Sequence, residues 1–316
     1  VPGPVRIVAR LRTKTSGIWI FSDYKSVRNK ILYAFFILFL ALVSVIAIFP
    51  PLWLFLSCFK TPEAVLANHF VLFPEQFDLA SIGRVWQEFR FGRYYLNSFL
   101  LVIGAVVCSI GFNGLLAYAV AVLKPAGAKA IDLFVTATLL IPAIINISPL
   151  YMNIIHSFSW LSDLLGTNVW GIPYFSYLPL WLVYGANAYY YVLFKVYFQS
   201  IPRPLFEAAQ IDGANRIQMF RYILIPLSLP IIAVVTIFTI NAAWSDFLLP
   251  SLMTQITQTE QPIMVRLYNM YSDQMGEVTL QEKLMTIMFA VVPPIVLFAL
   301  FQKRIAANVA TTGLRE

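Results

Sequence analysis

The residues able to do chemistry in this chain are few, and they cluster. Between Arg203 and Pro230 the sequence RPLFEAAQIDGANRIQMFRYILIPLSLP carries Arg203, Glu207, Asp212, Arg216 and Arg221, and long apolar runs flank it on both sides. The hydrocarbon core of a bilayer does not tolerate such charge density, so the segment lies in water or against a partner. Pro204 suits a first helical turn, where its missing N–H costs nothing. Leu205, Ala208 and Ala209 share one face at helical spacing. Gly213, just after Asp212, supplies the positive φ that ends a helix, and a second helix is expected from about Asn215. The chemistry this pattern fits is docking: Ala208 and Ala209 keep the face shallow, Leu205 and Phe206 add apolar contact, and Glu207 is an anionic handle.

The polar residues of the apolar runs are the second set of candidates. Tyr184, Asn187 and Tyr191 are expected to share a helix face, and an amide among aromatic rings suits a sugar, whose C–H faces stack while its hydroxyls need hydrogen bonds. Asn146 and Ser148 near Pro149 are expected to line a cavity, and Asn241, Trp244 and Asp246 form a third group. For all of them helix packing, with amides bonding across interfaces, is the competing reading. Catalysis finds no support. Asp132 and Asp246 fall at the ends of different runs without an evident acid–base partner, and no serine sits in a G-x-S-x-G setting. No G-x-x-x-x-G-K loop is present, so ATP hydrolysis by that route is excluded. Cys58 and Cys108 read as buried thiols, and two histidines, His69 and His156, make no metal cluster.

The elements that must position these residues are membrane spans. The chain of 316 residues is 59% hydrophobic and 12% charged, against roughly 25% charged in a soluble domain. Six spans are expected, at about Ile31–Leu56, Tyr95–Leu123, Ile131–Ile155, Ile172–Tyr197, Leu227–Leu249 and Lys283–Phe301, with Pro50 and Pro51 kinking or ending the first. Residues 1–30 form a basic segment in which Gly17–Tyr24 is a candidate interfacial stretch. Residues 31–301 are the spanning domain and 302–316 a tail. Ile82, Val85, Trp86 and Phe89 predict a short amphipathic helix on the membrane surface. Of the 22 Lys and Arg residues, 16 fall in segments that would then share the side of the Arg203–Pro230 segment and both termini, which makes that side cytoplasmic. The same asymmetry accounts for the net charge of +7 without a nucleic acid.

The motif around Glu207 resembles the EAA loop of ABC importer permeases, here 201–226: Glu207, Ala208, Ala209, Gly213, Ile223 and Pro226 match, and Ile225 replaces a usual leucine. IDGA at Ile211–Ala214, YYLNS at Tyr94–Ser98, AYAVAVLKPAG and WSDFLLP are similar to segments of the sugar-importing branch, and the chain resembles the shorter permease of the maltose-type importer. That resemblance implies an all-α, polytopic protein of the bacterial inner membrane with six transmembrane helices and a cytoplasmic coupling helix. It also implies a second, homologous permease, an ATPase dimer that holds ATP and Mg, an extracytoplasmic sugar-binding protein, and no cofactor on this chain. Leu205, Phe206, Glu207, Ala208, Ala209, Asp212 and Gly213 would meet the ATPase. The tail would reach it through Thr312, Gly313 and Arg315. The last outside loop, Met253–Gln261, with Thr254, Gln255, Thr257, Gln258 and Thr259, would enter the binding protein's cleft. An ion-coupled secondary transporter is the alternative; it calls for an intramembrane carboxylate or a broken-helix ion site.

Overall fold

The computed structural model describes residues 27–66, 71–74, 77–169, 172, 174–254, 260–272 and 278–312, the side chains of Ala143 and of 302–312 excepted. The expectations for 1–26, including Gly17–Tyr24, and for His69 lie outside the described residues. Every regular element among those residues is helical.

Three helices are long and apolar enough to cross a membrane without interruption. They are α1 (Val27–Ser57), α4 (Phe91–Tyr118, prolonged by a π turn to Leu123) and the Leu280–Phe301 part of α15 (Leu280–Thr312). Helix α1 continues through Pro50 and Pro51 to Ser57, one residue past the expected span, so the prolines do not end it. Helix α15 runs through Phe301 to Thr312, so the start of the tail extends the last span. Between α1 and α4 stand α2 (Pro62–Leu66) and α3 (Leu79–Glu88). Helix α3 is capped by Asp78, whose carboxylate accepts from Ser81 N at 3.0 Å. It packs Val85 and Trp86 onto Phe91, Tyr95 and Phe289.

The other three predicted spans are interrupted, and each interruption has a local cause. The third consists of α5 (Ala128–Ala137), two 3₁₀ turns and α6 (Ile147–Leu165), and its halves meet at 96°. Pro142 disfavours helical backbone at the residue before it, and Ile141 is extended at φ −90°, ψ 117°. The fourth is split into α7 (Tyr177–Gly185) and α8 (Ala188–Ser200) by Ala186 and Asn187, and both halves pack along α4. The fifth, expected from Leu227 to Leu249, is mostly α12 (Leu229–Ser245); a 75° bend at Ser228, between Pro226 and Pro230, sets it off from the preceding α10 (Arg216–Met219), a π turn and α11 (Ile225–Leu227), and a break at Asp246 and Phe247 ends it. The connecting helices are α9 (Arg203–Ile211), α13 (Leu248–Thr254) and α14 (Ile263–Tyr271).

Helix α4 is the hub. Its Gly104 lies under Trp181 of α7 so closely that a β-carbon there would sit 2.1 Å from the indole, so only glycine permits this approach. Helix α12 packs on another side of α4. Helix α1, by contrast, exposes its whole apolar length up to Leu52 apart from Asn29 and meets the body through α15. A helix that is apolar all round and leaves the body this way faces lipid or a partner's helices.

Candidate functional site

The charged segment folds as its residue types dictate. Pro204 lies in the first turn of α9. Gly213 has φ +82°, and two bonds close the helix behind it: Ala214 N donates to Ala209 O at 2.9 Å and Gly213 N to Gln210 O at 3.0 Å. That pair is a Schellman motif. Two residues on, Asn215 Oδ1 accepts from Gln218 N at 2.8 Å while Gln218 Oε1 accepts from Asn215 N at 2.8 Å, a capping box that starts α10. The two caps abut, so the angle between α9 and α10 is built from bonds between near neighbours. Tyr118 Oη donates to Arg216 O at 2.9 Å and ties α10 to the end of α4.

Helix α9 has two faces. Leu205, Ala208 and Ile211 point away from the body, Leu205 45% and Ile211 86% exposed, and Asp212 is exposed beside them. Phe206 is buried in the core formed by α4, α8, α10 and α12, so it anchors α9 and offers no outer surface. Ala209 is half-buried against the same core. Glu207 is exposed, yet it lines a cavity on the inner side together with Arg203, Gln210, Lys124 and Arg216. The anionic handle thus stands beside cations of its own chain.

The residues expected to line a sugar path separate. Asn187 does not share a helix face with Tyr184 and Tyr191, because it is the break. Its backbone is extended, and its Oδ1 caps α8 by accepting from Tyr189 N at 3.0 Å and Tyr190 N at 3.2 Å. Tyr184 Oη donates to Asp246 Oδ2 at 2.8 Å, and Asp246 Oδ1 accepts from Leu248 N at 2.8 Å to start α13. Tyr191 is buried and donates to Asp132 Oδ1 at 2.9 Å. Trp244 is buried too, its indole N–H donating to Ala290 O at 2.9 Å. Asn241 is exposed on α12. Only Asn146 keeps its expected setting. With Asn153, Ser157 and Ala186 it lines an open groove of about 670 Å³ between α6 and α7, and Ser148 is not among the lining residues.

Several polar residues act where sequence reasoning had no signal for them. At the break in the fourth span, Asn113 Nδ2 donates to Gly185 O at 2.7 Å and to Ser109 O at 2.7 Å, and Thr239 Oγ1 donates to Ser109 Oγ at 3.1 Å. All three side chains are buried. An interrupted helix in a bilayer needs such neighbours to satisfy its freed carbonyls. Asp132, expected to stand without a partner, pairs with Lys195 Nζ at 2.6 Å and so ties α5 to α8.

The last outside loop shows a third departure. Thr254 is fully buried and its hydroxyl donates to Pro250 O at 2.7 Å, so it is not available to a partner. Gln255, Thr257, Gln258 and Thr259 lie outside the described residues, as do Gly313 and Arg315 of the tail; Thr312 ends α15. The segment after the loop is held tightly. The buried Glu260 accepts from Tyr174 N at 2.6 Å and from Ser176 Oγ at 2.9 Å, and its own carbonyl accepts from Tyr177 Oη. Asn97 Nδ2 donates to Gln261 O at 3.0 Å, and Ser98 Oγ accepts from Ile263 N at 2.9 Å. The asparagine and serine of YYLNS are therefore anchors for the segment that follows residue 259.

A multi-span helical body with a charged two-helix elbow set between two of its spans defines a membrane transport component. The comparisons give the family. Residues 112–311 match the profile of the binding-protein-dependent transport system inner membrane component, and the chain belongs to that family of multi-pass inner membrane proteins. It is 30% identical over 279 residues to the diacetylchitobiose uptake system permease protein NgcG of Streptomyces coelicolor, covering 87% of each chain. It is 25% identical to the trehalose/maltose transport system permease protein MalG of Thermococcus litoralis, over 87% of this chain and 94% of that one. Its fold matches a chain in the crystal structure of a bacterial ABC transporter that imports the acidic polysaccharide alginate, with a TM-score of 0.74 at 21% identity, over 91% of this chain and 99% of that chain.

Proposed function

We propose that this chain is one of two permease subunits of an ATP-driven sugar importer. A second, homologous permease covers α1 and completes the translocation path, and an extracytoplasmic sugar-binding protein delivers the cargo. An ATPase dimer, which holds the ATP and Mg, docks on α9. Both termini and α9 face the cytoplasm. The observation that carries this reading is α9 itself: a helix of nine residues, capped at its end by backbone bonds, with Leu205, Ala208 and Ile211 presented outward next to Asp212. The names of the similar proteins support a sugar as cargo, and the groove at Asn146, Asn153 and Ser157 is the place in this subunit best suited to hydroxyl groups. The tail, through Thr312, Gly313 and Arg315, and the loop Gln255–Thr259 are proposed as further contacts to the ATPase and to the binding protein.

The ion-coupled alternative would use Asp132, but that carboxylate is already paired with Lys195. The experiment is co-expression with a candidate sugar-importer ATPase and second permease, purification through this chain, and uptake assays in vesicles. Co-purification with uptake that needs ATP and survives dissipation of ion gradients is expected. Uptake by this chain alone, abolished by an ionophore, would overturn the reading. Thiol labelling of Asp212→Cys from the inside and Arg84→Cys from the outside checks the orientation.

A further inference from the structure

The cavity beneath α9 is lined by three cations and one carboxylate. It measures about 610 Å³ and lies where α4, α8, α9 and α10 converge. Lys124 enters it from the end of α4, Arg203 from the start of α9 and Arg216 from the start of α10, with Glu207 the only carboxylate among the lining residues. The ion pair present among the described residues is Lys195–Asp132, so none of these three cations is ion-paired among them. Lys124 is also held at φ +47°, a left-handed conformation that ordinarily goes to glycine. Keeping a lysine there opposes backbone preference, and strain of this kind gathers at binding sites. The remaining wall mixes Gln199 and Gln210 with apolar side chains, of which Phe198, Phe206 and Met219 are buried. Three cations beside buried Phe198, Phe206 and Met219, at the end of the membrane-length helix α4, fit an amphiphile with an anionic head.

We infer that this cavity binds the phosphate headgroup of an anionic phospholipid of the inner leaflet, with Lys124, Arg203 and Arg216 on the phosphate and the acyl chains leaving past the end of α8. The placement in the inner leaflet rests on the orientation proposed above; the binding itself does not. The consequence is regulatory. A headgroup seated under α9 sits between the docking helix and the ends of α4 and α8, so bilayer composition would set how firmly α9 is braced against the spans.

The test uses the full chain in mild detergent with equimolar phosphatidylglycerol and phosphatidylcholine, and native mass spectrometry to read which lipid is retained. A basic residue near an anionic headgroup contributes enough that neutralising all three should lower phosphatidylglycerol retention on the order of a hundredfold. The variant is Lys124→Gln/Arg203→Gln/Arg216→Gln, with phosphatidylcholine retention unchanged. Lys124→Gly alone, which the left-handed backbone accepts, should lower it about fivefold and keeps the test decisive if the triple variant does not fold. Removing three cations from the other side, as Arg84→Gln/Arg90→Gln/Arg93→Gln, should leave it as it was. Equal loss in both triple variants, or no loss with Lys124→Gly, would overturn the site. Thermal stabilisation by inorganic phosphate alone, equal to that by phosphatidylglycerol, would assign a soluble anion and overturn the lipid. Loss of ATPase co-purification with lipid retention intact would give the cations to the ATPase instead. The docking reading has its own arm, the seating of α9, which lipid retention does not touch.

Discussion

The two segments that cap the spans at opposite ends, α9–α10 and the 246–263 stretch, are held by opposite means. The α9–α10 elbow is closed by bonds between near neighbours: Ala214 to Ala209, Gly213 to Gln210, and the Asn215–Gln218 box. Its outer face is exposed among the described residues, and Phe206 is buried in the core as its anchor. The 246–263 segment is fixed by buried and half-buried groups from distant elements: Glu260 to Tyr174 N–H and Ser176, Asn97 to Gln261, and Asp246 to Tyr184. An elbow that keeps its own shape can be pushed as a unit by a partner and carry the displacement to α4 and α12. A segment pinned to α4 and α7 registers what those helices do. One end is built to receive force and the other to follow the spans.

The comparison predicts its largest effect at the free face. Ala208→Trp puts an indole on the outer surface of α9, where nothing in this chain clashes with it, so folding and insertion should stay normal. Seating in a partner's cleft should fail by steric overlap, and ATP-driven uptake should fall to background. The measurement is co-purification of the ATPase together with vesicle uptake. Full retention of both would show that α9 is not the docking helix.

The next effect belongs to the pinned end. Glu260→Ala removes the acceptor of Tyr174 N–H and of the Ser176 hydroxyl in a buried setting. Leaving such donors unsatisfied costs about 1–3 kcal/mol. Glu260→Gln keeps one acceptor oxygen and should recover part of the loss. A thermal scan that follows exposure of the thiols, with Cys58 buried and Cys108 partly buried, reads it directly. An unchanged midpoint in Glu260→Ala would mean that the outer segment is not held by this carboxylate.

These two ends also explain how much the sequence disclosed. The elbow was legible to the residue, because caps are local: Pro204, Gly213 and Asn215 act within five positions of themselves. The spans were legible as hydropathy, since apolar length is enough to place them. Their interruptions were not, although Pro142, Pro226 and Pro230 stood in plain view. A proline tolerated in a span announces no angle until the neighbours that satisfy the freed backbone are known. Those neighbours are far off in the chain: Asn113 lies 72 positions from Gly185, and Glu260 lies 86 from Tyr174. The expected shared face of Tyr184, Asn187 and Tyr191 failed for the same reason. A helix face was assumed to run through Asn187, and each aromatic hydroxyl in it was already engaged by a carboxylate 59 or 62 positions away.

A smaller effect follows for the elbow's hinge. Gly213 has open space around its Cα, so a side chain there meets no neighbour and the cost is conformational alone. A β-branched residue at φ +82° is disfavoured by about 1–2 kcal/mol. Gly213→Val should therefore leave the global melting midpoint nearly unchanged while the angle between α9 and α10 opens and uptake drops several-fold. Gly213→Asn, which tolerates left-handed backbone better, should retain more uptake. Equal uptake in valine and asparagine variants would show that the positive φ is not what coupling needs.

The smallest effect is expected at Glu207, the residue whose charge is the most conspicuous in the motif. The side chain is exposed, and Lys124, Arg203 and Arg216 line the same cavity without forming an ion pair with it. Exposed pairs are worth about 0–1 kcal/mol, so Glu207→Ala should reduce ATPase affinity only a few-fold at moderate salt. That difference should shrink as salt is raised, because screening acts on exposed charges first. The outcome changes if docking sequesters Glu207 against a cation of the ATPase: removing one member of a buried pair leaves the other unpaired, and the loss then reaches about 3–5 kcal/mol. The two cases separate in a double-mutant cycle between Glu207→Ala and Lys124→Gln. A coupling carried by the chain's own cations makes the two losses non-additive. A partner on the ATPase makes them additive and leaves the Glu207→Ala defect large at every salt concentration.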